Sequence, residues 1–346
     1  MNSYGRSRSV VLRVLAAASI AVACTAAIVL AANDGDDPRA KRNAAEGERA
    51  TGSWGSLASS PFERTEVGAA RIGDRIYVVG GYISSAGTTG QMARYDISDD
   101  VWSEVAPLPI GVNHPGVTAH RGKLYVLGGN LPGGGDGEPK SARLYRYSPG
   151  TDRWARLPDA PSERAALALV GIGDRLYAAG GYTEEVFDLR TLEIYDLERR
   201  RWRRGPKMPS GRNHVGYAVL QGALVVTGGR PGPTHGSQAT IESYDPDRRR
   251  WSTLAPMPTA RSGHSAAVVS GRLVVLGGEE LDGGQTIEQV EIYDADSNSW
   301  APLPPMVTPR HGLGAAAKGK RIYALEGGPQ PGLAYSSVLE YLDITE

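Results

Sequence analysis

The chain has one long apolar stretch, Val14 to Ala32; beyond it, hydrophobic positions come in short, strand-length groups broken by Gly, Pro, Asp and Asn. One such group recurs about every 50 residues, a period that marks propellers or solenoids. The clearest copies are Ile76-Tyr77-Val78-Val79-Gly80-Gly81, Leu124-Tyr125-Val126-Leu127-Gly128-Gly129 and Leu176-Tyr177-Ala178-Ala179-Gly180-Gly181. Two more end at Gly228-Gly229 and Gly277-Gly278, and the sixth reads Ile322-Tyr323-Ala324-Leu325-Glu326-Gly327, with Glu326 at the first-glycine position. A tryptophan lies 26 residues before that position in every copy: Trp54, Trp102, Trp154, Trp202, Trp251 and Trp300. A tyrosine follows each pair: Tyr95, Tyr147, Tyr195, Tyr244, Tyr293 and Tyr341. Each unit therefore predicts four strands: a short small-apolar strand a, an apolar strand b ending in the glycine pair, a tyrosine-bearing strand c and a tryptophan-bearing strand d. Tight polar turns such as Ile72-Gly73-Asp74-Arg75 join a to b.

The sixth unit has no tryptophan after Tyr341, and Trp54 has no complete unit before it, so the two ends complete each other. The strand around Trp54 becomes the outer strand of the last unit. The expected fold is all-β, a six-bladed β-propeller of four-stranded antiparallel blades closed by that N-terminal strand, which also removes exposed sheet edges. Residues 54–346 form the ring: blade 1 62–109, blade 2 110–161, blade 3 162–209, blade 4 210–258, blade 5 259–307, and blade 6 308–346 plus 51–61. The glycines allow close approach at the end of strand b, and the Tyr and Trp rings fill space between blades, each burying about 150–250 Å².

Paired glycine, downstream tyrosine and tryptophan at steady spacing resemble the kelch repeat over residues 54 to 346, here in a bacterial, extracytoplasmic setting. The resemblance implies a propeller and leaves function open, since kelch proteins include enzymes, ligand-binding modules and partner-docking scaffolds. A looser resemblance is to the kelch-type sialic acid mutarotases. Blade 2 departs from the pattern, with Ser148 where other copies have Asp96, Asp196, Asp245 and Asp294.

The segment 1–32 reads as a signal or signal-anchor transmembrane segment: Arg6, Arg8 and Arg13 precede the 19-residue apolar run and favour a cytoplasmic N-terminus with the body outside. Residues 33–53 read as a flexible tether. Localisation is thus expected to be extracytoplasmic, membrane-anchored or secreted. Lys plus Arg and Asp plus Glu stand at 38 each, which removes any global field for nucleic acid. The lone Cys24 excludes an intrachain disulfide, a cysteine metal cluster and the crosslinked tyrosine of a galactose-oxidase-like copper enzyme. No cofactor is implied, and a monomer is expected.

In such a blade the d-to-a and b-to-c connections share one face. The b-to-c loops are long and dissimilar, which ranks that face as the recognition surface. Sixteen residues before the first-glycine position lie Arg64, Arg164, Arg212, Arg261 and Arg310, with Val112 in blade 2, and nearby come His114, His214, His264 and His311. These are the ligand-binding candidates, expected around the channel mouth as a bowl for an anionic sugar, another small anion or an acidic peptide; the alternative is that the repeated arginines are architectural. The histidine spacing follows the blades and matches no compact metal motif. Glu326 is the catalytic candidate, as general acid or base, its alternative being drift in a terminal repeat; Glu279, Glu280, Glu184, Glu185 and Asp136 are looser carboxylate candidates. Arg199 to Arg201 and Arg248 to Arg250 read as solvated hairpin tips, and Gly133 to Gly137 as a loop without a P-loop helix. The leading expectation is a recognition module for a protein or glycan; the rival is a carbohydrate-active enzyme of the sialic acid mutarotase type.

Overall fold

A computed structural model describes residues 51–84, 87–133, 138–232, 236–280 and 284–345. The N-terminal apolar run, most of the tether, Cys24 and Asp136 lie outside the described residues. Among the described residues no helix is long and apolar enough to cross a membrane.

Six four-stranded antiparallel sheets follow the repeat. Blade 3 is representative, with strands Ala168–Ile172, Arg175–Ala179, Leu192–Asp196 and Arg201–Arg204 in spatial order a-b-c-d. The innermost strands pack in the order of the blades and the sixth returns to the first. Thr51–Ser56 pairs along Leu339–Thr345 as the outer strand of blade 6, so the chain's two ends close the ring through one ladder. Two b-to-c loops carry small hairpins of their own, Tyr82–Ile83 with Gly87–Thr88 and Glu279–Glu280 with Gln285–Thr286.

Successive blades are locked by repeated contacts. Each tryptophan indole donates to a backbone carbonyl at the end of the preceding blade: Trp102 to Ala58 at 2.7 Å, Trp202 to Pro158 at 2.9 Å, Trp54 to Pro304 at 2.9 Å. The second glycine's N–H donates to the carbonyl sixteen residues ahead of the next blade's first glycine, as Gly181 does to Arg212 at 3.0 Å. The first glycine adopts φ +67° at Gly180, and a Cβ there would sit 2.8 Å from that same Arg212 carbonyl, so both conformation and space select glycine.

The place of Tyr341 as the sixth tyrosine filling space between blades is corrected. Five tryptophans lie opposite the expected tyrosines, but Trp54 lies opposite Leu342, not Tyr341. Leu342 fills the inter-blade slot in the apolar core, while Tyr341 points to the other face under the Arg321 guanidinium, 3.7 Å from its ring centroid. Alternation along a strand makes a one-residue shift a change of face.

Candidate functional site

The five arginines expected at the channel mouth are instead inside the blade walls. All five are fully buried and each is ion-paired at 2.5–2.9 Å: Arg64 with Glu326, Arg164 with Glu193, Arg212 with Glu242, Arg261 with Glu291 and Arg310 with Glu340. The guanidinium closes the end of strands b and c; Arg310, for example, donates to the carbonyls of Glu326 and Val338 at 2.9 and 2.7 Å. A hydroxyl completes each carboxylate, from Ser60, Ser162, Ser210, Thr259 or Thr308. Burial lowers the affinity of the Arg164, Arg212, Arg261 and Arg310 guanidiniums for protons, to about 10 at Arg310, and their paired glutamates oppose it. A ligand has no access to them. Their role is to satisfy backbone carbonyls where the long loops depart.

Glu326 belongs to the same device. Glu193, Glu242, Glu291 and Glu340 stand at one position of strand c; in blade 1 that position is Ala93 and in blade 2 it is Tyr145. Blade 2 also has Val112 for arginine, so it lacks both partners. Blade 1 keeps Arg64 and receives its carboxylate from the neighbouring blade: Glu326 accepts from Arg64 Nε and Nη2 at 2.8 Å each and from Ser60 at 2.6 Å. This fully buried pair spans the junction of blades 6 and 1. Glu326 holds φ +55° in a slot that is glycine elsewhere. The general acid or base expected of it is corrected to a structural counterion, because its oxygens are engaged away from solvent.

Two residues beyond each arginine position the six blades place Glu66, His114, Ala166, His214, Gly263 and Gly312, all with φ between 52° and 62°. Backbone bonds run around this neck from blade to blade: His114 N–H to Glu66 carbonyl, Ala166 to His114, His214 to Ala166, Gly263 to His214 and Gly312 to Gly263, at 2.8–3.1 Å. The ring requires left-handed backbone at every position, which glycine adopts without cost and larger residues adopt at about 1 kcal/mol or more each. Three positions nevertheless carry titratable side chains, and these head a channel cavity of about 360 Å³.

In the neck, Glu66 Oε2 lies 3.0 Å from His114 Nε2 and Glu66 Oε1 lies 3.6 Å from His311 Nε2. His114 and His214 meet edge to face, 4.7 Å between centroids. Burial opposes ionisation of Glu66, but the charge and hydrogen bond of His114, with His311 and His214 beyond, outweigh it and hold the carboxyl well below the usual range. His214 is pushed the other way: burial, then Arg230 and His114, keep its imidazole neutral well below 6.5. Arg230 lies 3.0 Å from His214 Nε2 and pairs with Glu279 at 3.0 Å.

Above the neck the b-to-c loops add a hydrogen-bonding wall. Asn113 Oδ1 meets His114 Nδ1 at 2.6 Å and accepts from Asn130 at 2.8 Å; Asn130 also donates to the Tyr182 hydroxyl at 2.8 Å. The Tyr182 ring lies parallel to those of Phe187 and His214, with Lys140 Nζ 5.4 Å from its centroid. Burial, and then the hydrogen bond that Tyr82 donates to Glu138, raise its phenol well above the ordinary 10.

The four histidines thus separate. His114 and His214 form the neck, and His311, one position earlier in its blade, reaches Glu66 from the side. His264, one position later, is wedged into blade 4 against Thr227 at 2.8 Å, and burial holds it neutral; its expected role at the mouth is corrected to inter-blade packing. Glu279 enters the bowl through Arg230, whereas Glu184, Glu185 and Glu280 are exposed on loops. Among the described residues no group of three His, Cys, Asp or Glu is arranged to hold a metal. Glu66 was absent from the sequence candidates; aligning the position two after each arginine, where the series reads Glu, His, Ala, His, Gly, Gly, would have exposed it.

The family model described as KLHDC2/KLHL20/DRC7 Kelch-repeats domain matches residues 113–328, and that described as Kelch motif matches residues 63–109. The chain is 31% identical over 196 residues to Kelch-like protein terF of Aspergillus terreus, a match covering 52% of this chain and 43% of that protein. It is 30% identical over 202 residues to Kelch repeat and BTB domain-containing protein 12 of Danio rerio, covering 52% of this chain and 32% of the other. The match spans less than half the length of either relative. Among solved structures, YjhT superimposes with a TM-score of 0.70 at 16% identity, covering 84% of this chain and 99% of YjhT, a likeness of fold.

Proposed function

We propose, for a chain that belongs to the kelch-repeat family, that the loop-rich face recognises a protein partner, with the polar neck receiving one of the partner's hydrogen-bonding side chains. The observation that carries this is the placement of exposed large hydrophobics. Of the six among the described residues, four lie on connections of this one face: Val186 and Phe187 in the b-to-c loop of blade 3, Leu333 in that of blade 6, and Val307 between blades 5 and 6. Apolar anchors around a polar, well-packed centre are the composition of a recognition surface. The ionised Glu66 and neutral His214 supply one strong acceptor and adaptable ring nitrogens without a net cationic field, so the ligand we now favour is polar or basic at its tip, in place of the anionic ligand suggested by the arginine series. The body is proposed to face outward from the membrane, a reading that rests on the three arginines and apolar run of residues 1–32.

A second reading, a carbohydrate-active enzyme, is favoured by the 3.0 Å Glu66–His114 pair, which Tyr82 and, through His214, Tyr182 flank with aromatic rings. The readings separate in two measurements. A partner isolated on the wild-type protein should be released by Phe187→Ala and by Glu66→Gln and retained by the opposite-face variant Arg249→Ala; retention by both face variants rules out this surface. Acceleration of anomer interconversion for any acidic or neutral sugar, followed by NMR and abolished in Glu66→Gln, would replace recognition with catalysis.

A further inference from the structure

The tyrosines between blades show a second departure from repetition, on the other side of the ring from the bowl. In blades 1, 2 and 5 the hydroxyl of Tyr95, Tyr147 or Tyr293 donates to Asp100, Asp152 or Asn298 at 2.6–2.7 Å. The Oδ1 of that Asp or Asn also accepts a backbone N–H of the preceding blade, from Ala58, Ala106 or Ala255, at 2.9 Å. Blades 3 and 4 lose both halves together. Arg200 and Arg249 replace the acceptor, in the same left-handed turn at φ 53°, and the N–H disappears because the preceding blade supplies Pro158 or Pro206. The Tyr195 and Tyr244 hydroxyls are left buried with no acceptor for their protons, facing the donors Arg200 and Arg249 instead.

At Tyr195 this acceptor-less hydroxyl lines a cavity of about 150 Å³ between blades 2 and 3, walled also by Tyr125, Arg146, Arg156, Leu157 and Arg200. Arg146 Nε is likewise buried without a partner. Arg156 is held by Asp159 at 2.6 Å, but Arg146 and Arg200 face no carboxylate in the cavity. Between blades 1 and 2 the comparable arginine, Arg94, acts on Asp152, the chain's own carboxylate. Here burial raises the Tyr195 phenol, and a hydrogen bond from Arg200 with the charges of Arg200 and Arg146 draws down part of that rise. A buried hydroxyl whose proton has no acceptor is costly, and guanidiniums lining a pocket with it favour an oxygen anion over water. The volume equals that of about five liquid waters at about 30 Å³ each, enough for a tetrahedral group.

We propose that this cavity is a binding site for a phosphate-type oxyanion, held by Arg146, Arg200 and the Tyr195 hydroxyl in the place that Asp152 fills one blade earlier. Inorganic phosphate titrated into the full-length protein by calorimetry should bind at one saturable site. Arg146→Met and Arg200→Asp should each weaken it at least tenfold. Arg200→Asp should in addition raise the melting temperature in phosphate-free buffer, because it restores the Tyr195 acceptor, so lost binding there is not lost folding. Phosphoserine binding more tightly than inorganic phosphate would place the oxyanion on a partner chain, and the reverse order would make it a free ion; either supports the site. No saturable phosphate binding, or binding undiminished in both variants, overturns the proposal.

Discussion

The blade walls and the channel neck draw on repeat positions only two residues apart, yet they use charge in opposite ways. In the walls the same arginine recurs in five blades, is fully buried, and meets a carboxylate that a hydroxyl completes each time. In the neck six equivalent positions carry Glu, His, Ala, His, Gly and Gly, and the bulky ones hold a left-handed backbone suited to glycine. Recurrence marks the parts that every blade needs. Unlike side chains kept at a conformational cost in equivalent slots mark a site that only the assembled ring creates.

The comparison breaks most severely if a wall arginine is dispensable. Arg212→Ala leaves Glu242 buried and unpaired and should lower unfolding free energy by about 3–5 kcal/mol, measured by denaturant titration. Blade 2 shows the apolar alternative, Val112 with Tyr145, so Arg310→Val combined with Glu340→Tyr should lose clearly less than Arg310→Val alone. Next comes the ring junction. Glu326→Gly relieves a left-handed residue but strands Arg64, a net loss of about 2 kcal/mol or more; adding Ala93→Glu, the arrangement of the other paired blades, should restore most of it.

Acid should sharpen the contrast further. The folded state keeps His214 and His264 neutral well below 6.5, so the unfolded chain takes up protons first; their contribution is complete above 6.5 and is lost as pH falls through the range below it. Glu66, held below its ordinary 4.5, adds a second loss as pH falls from 4.5 towards its folded value. Melting temperature against pH should therefore decline in two stages, and His214→Asn should shallow the first. The smallest effect belongs to the neck itself: His114→Gly and His214→Gly should shift stability by no more than about 1 kcal/mol in either direction, because relief of backbone strain offsets lost packing.

Much of this was legible from residue spacing, because glycine pairs and tryptophans are backbone and packing requirements that repeat in every blade, Glu326 alone replacing one glycine of a pair. Blade number, strand order and closure through Trp54 followed from them. The role of the arginines did not, although Glu193, Glu242 and Glu291 stand at a constant two residues before the strand c tyrosines; a series shows that a residue is needed, and only its partner shows why. Tyr341 misled because b-to-c loop length varies, so distance from the glycines cannot fix a register that alternates at every residue. Glu66 escaped because its position has no shared residue type. What it shares with His114 and His214 is a backbone conformation.

The most direct test lies in the imidazole nitrogens. The protein labelled with ¹⁵N-histidine, titrated with its isolated protein partner, should show shifts at His114 and His214 while His264, wedged in the wall, stays still. Saturable partner binding that leaves the His114 and His214 resonances unmoved would contradict the assignment of the neck as the site.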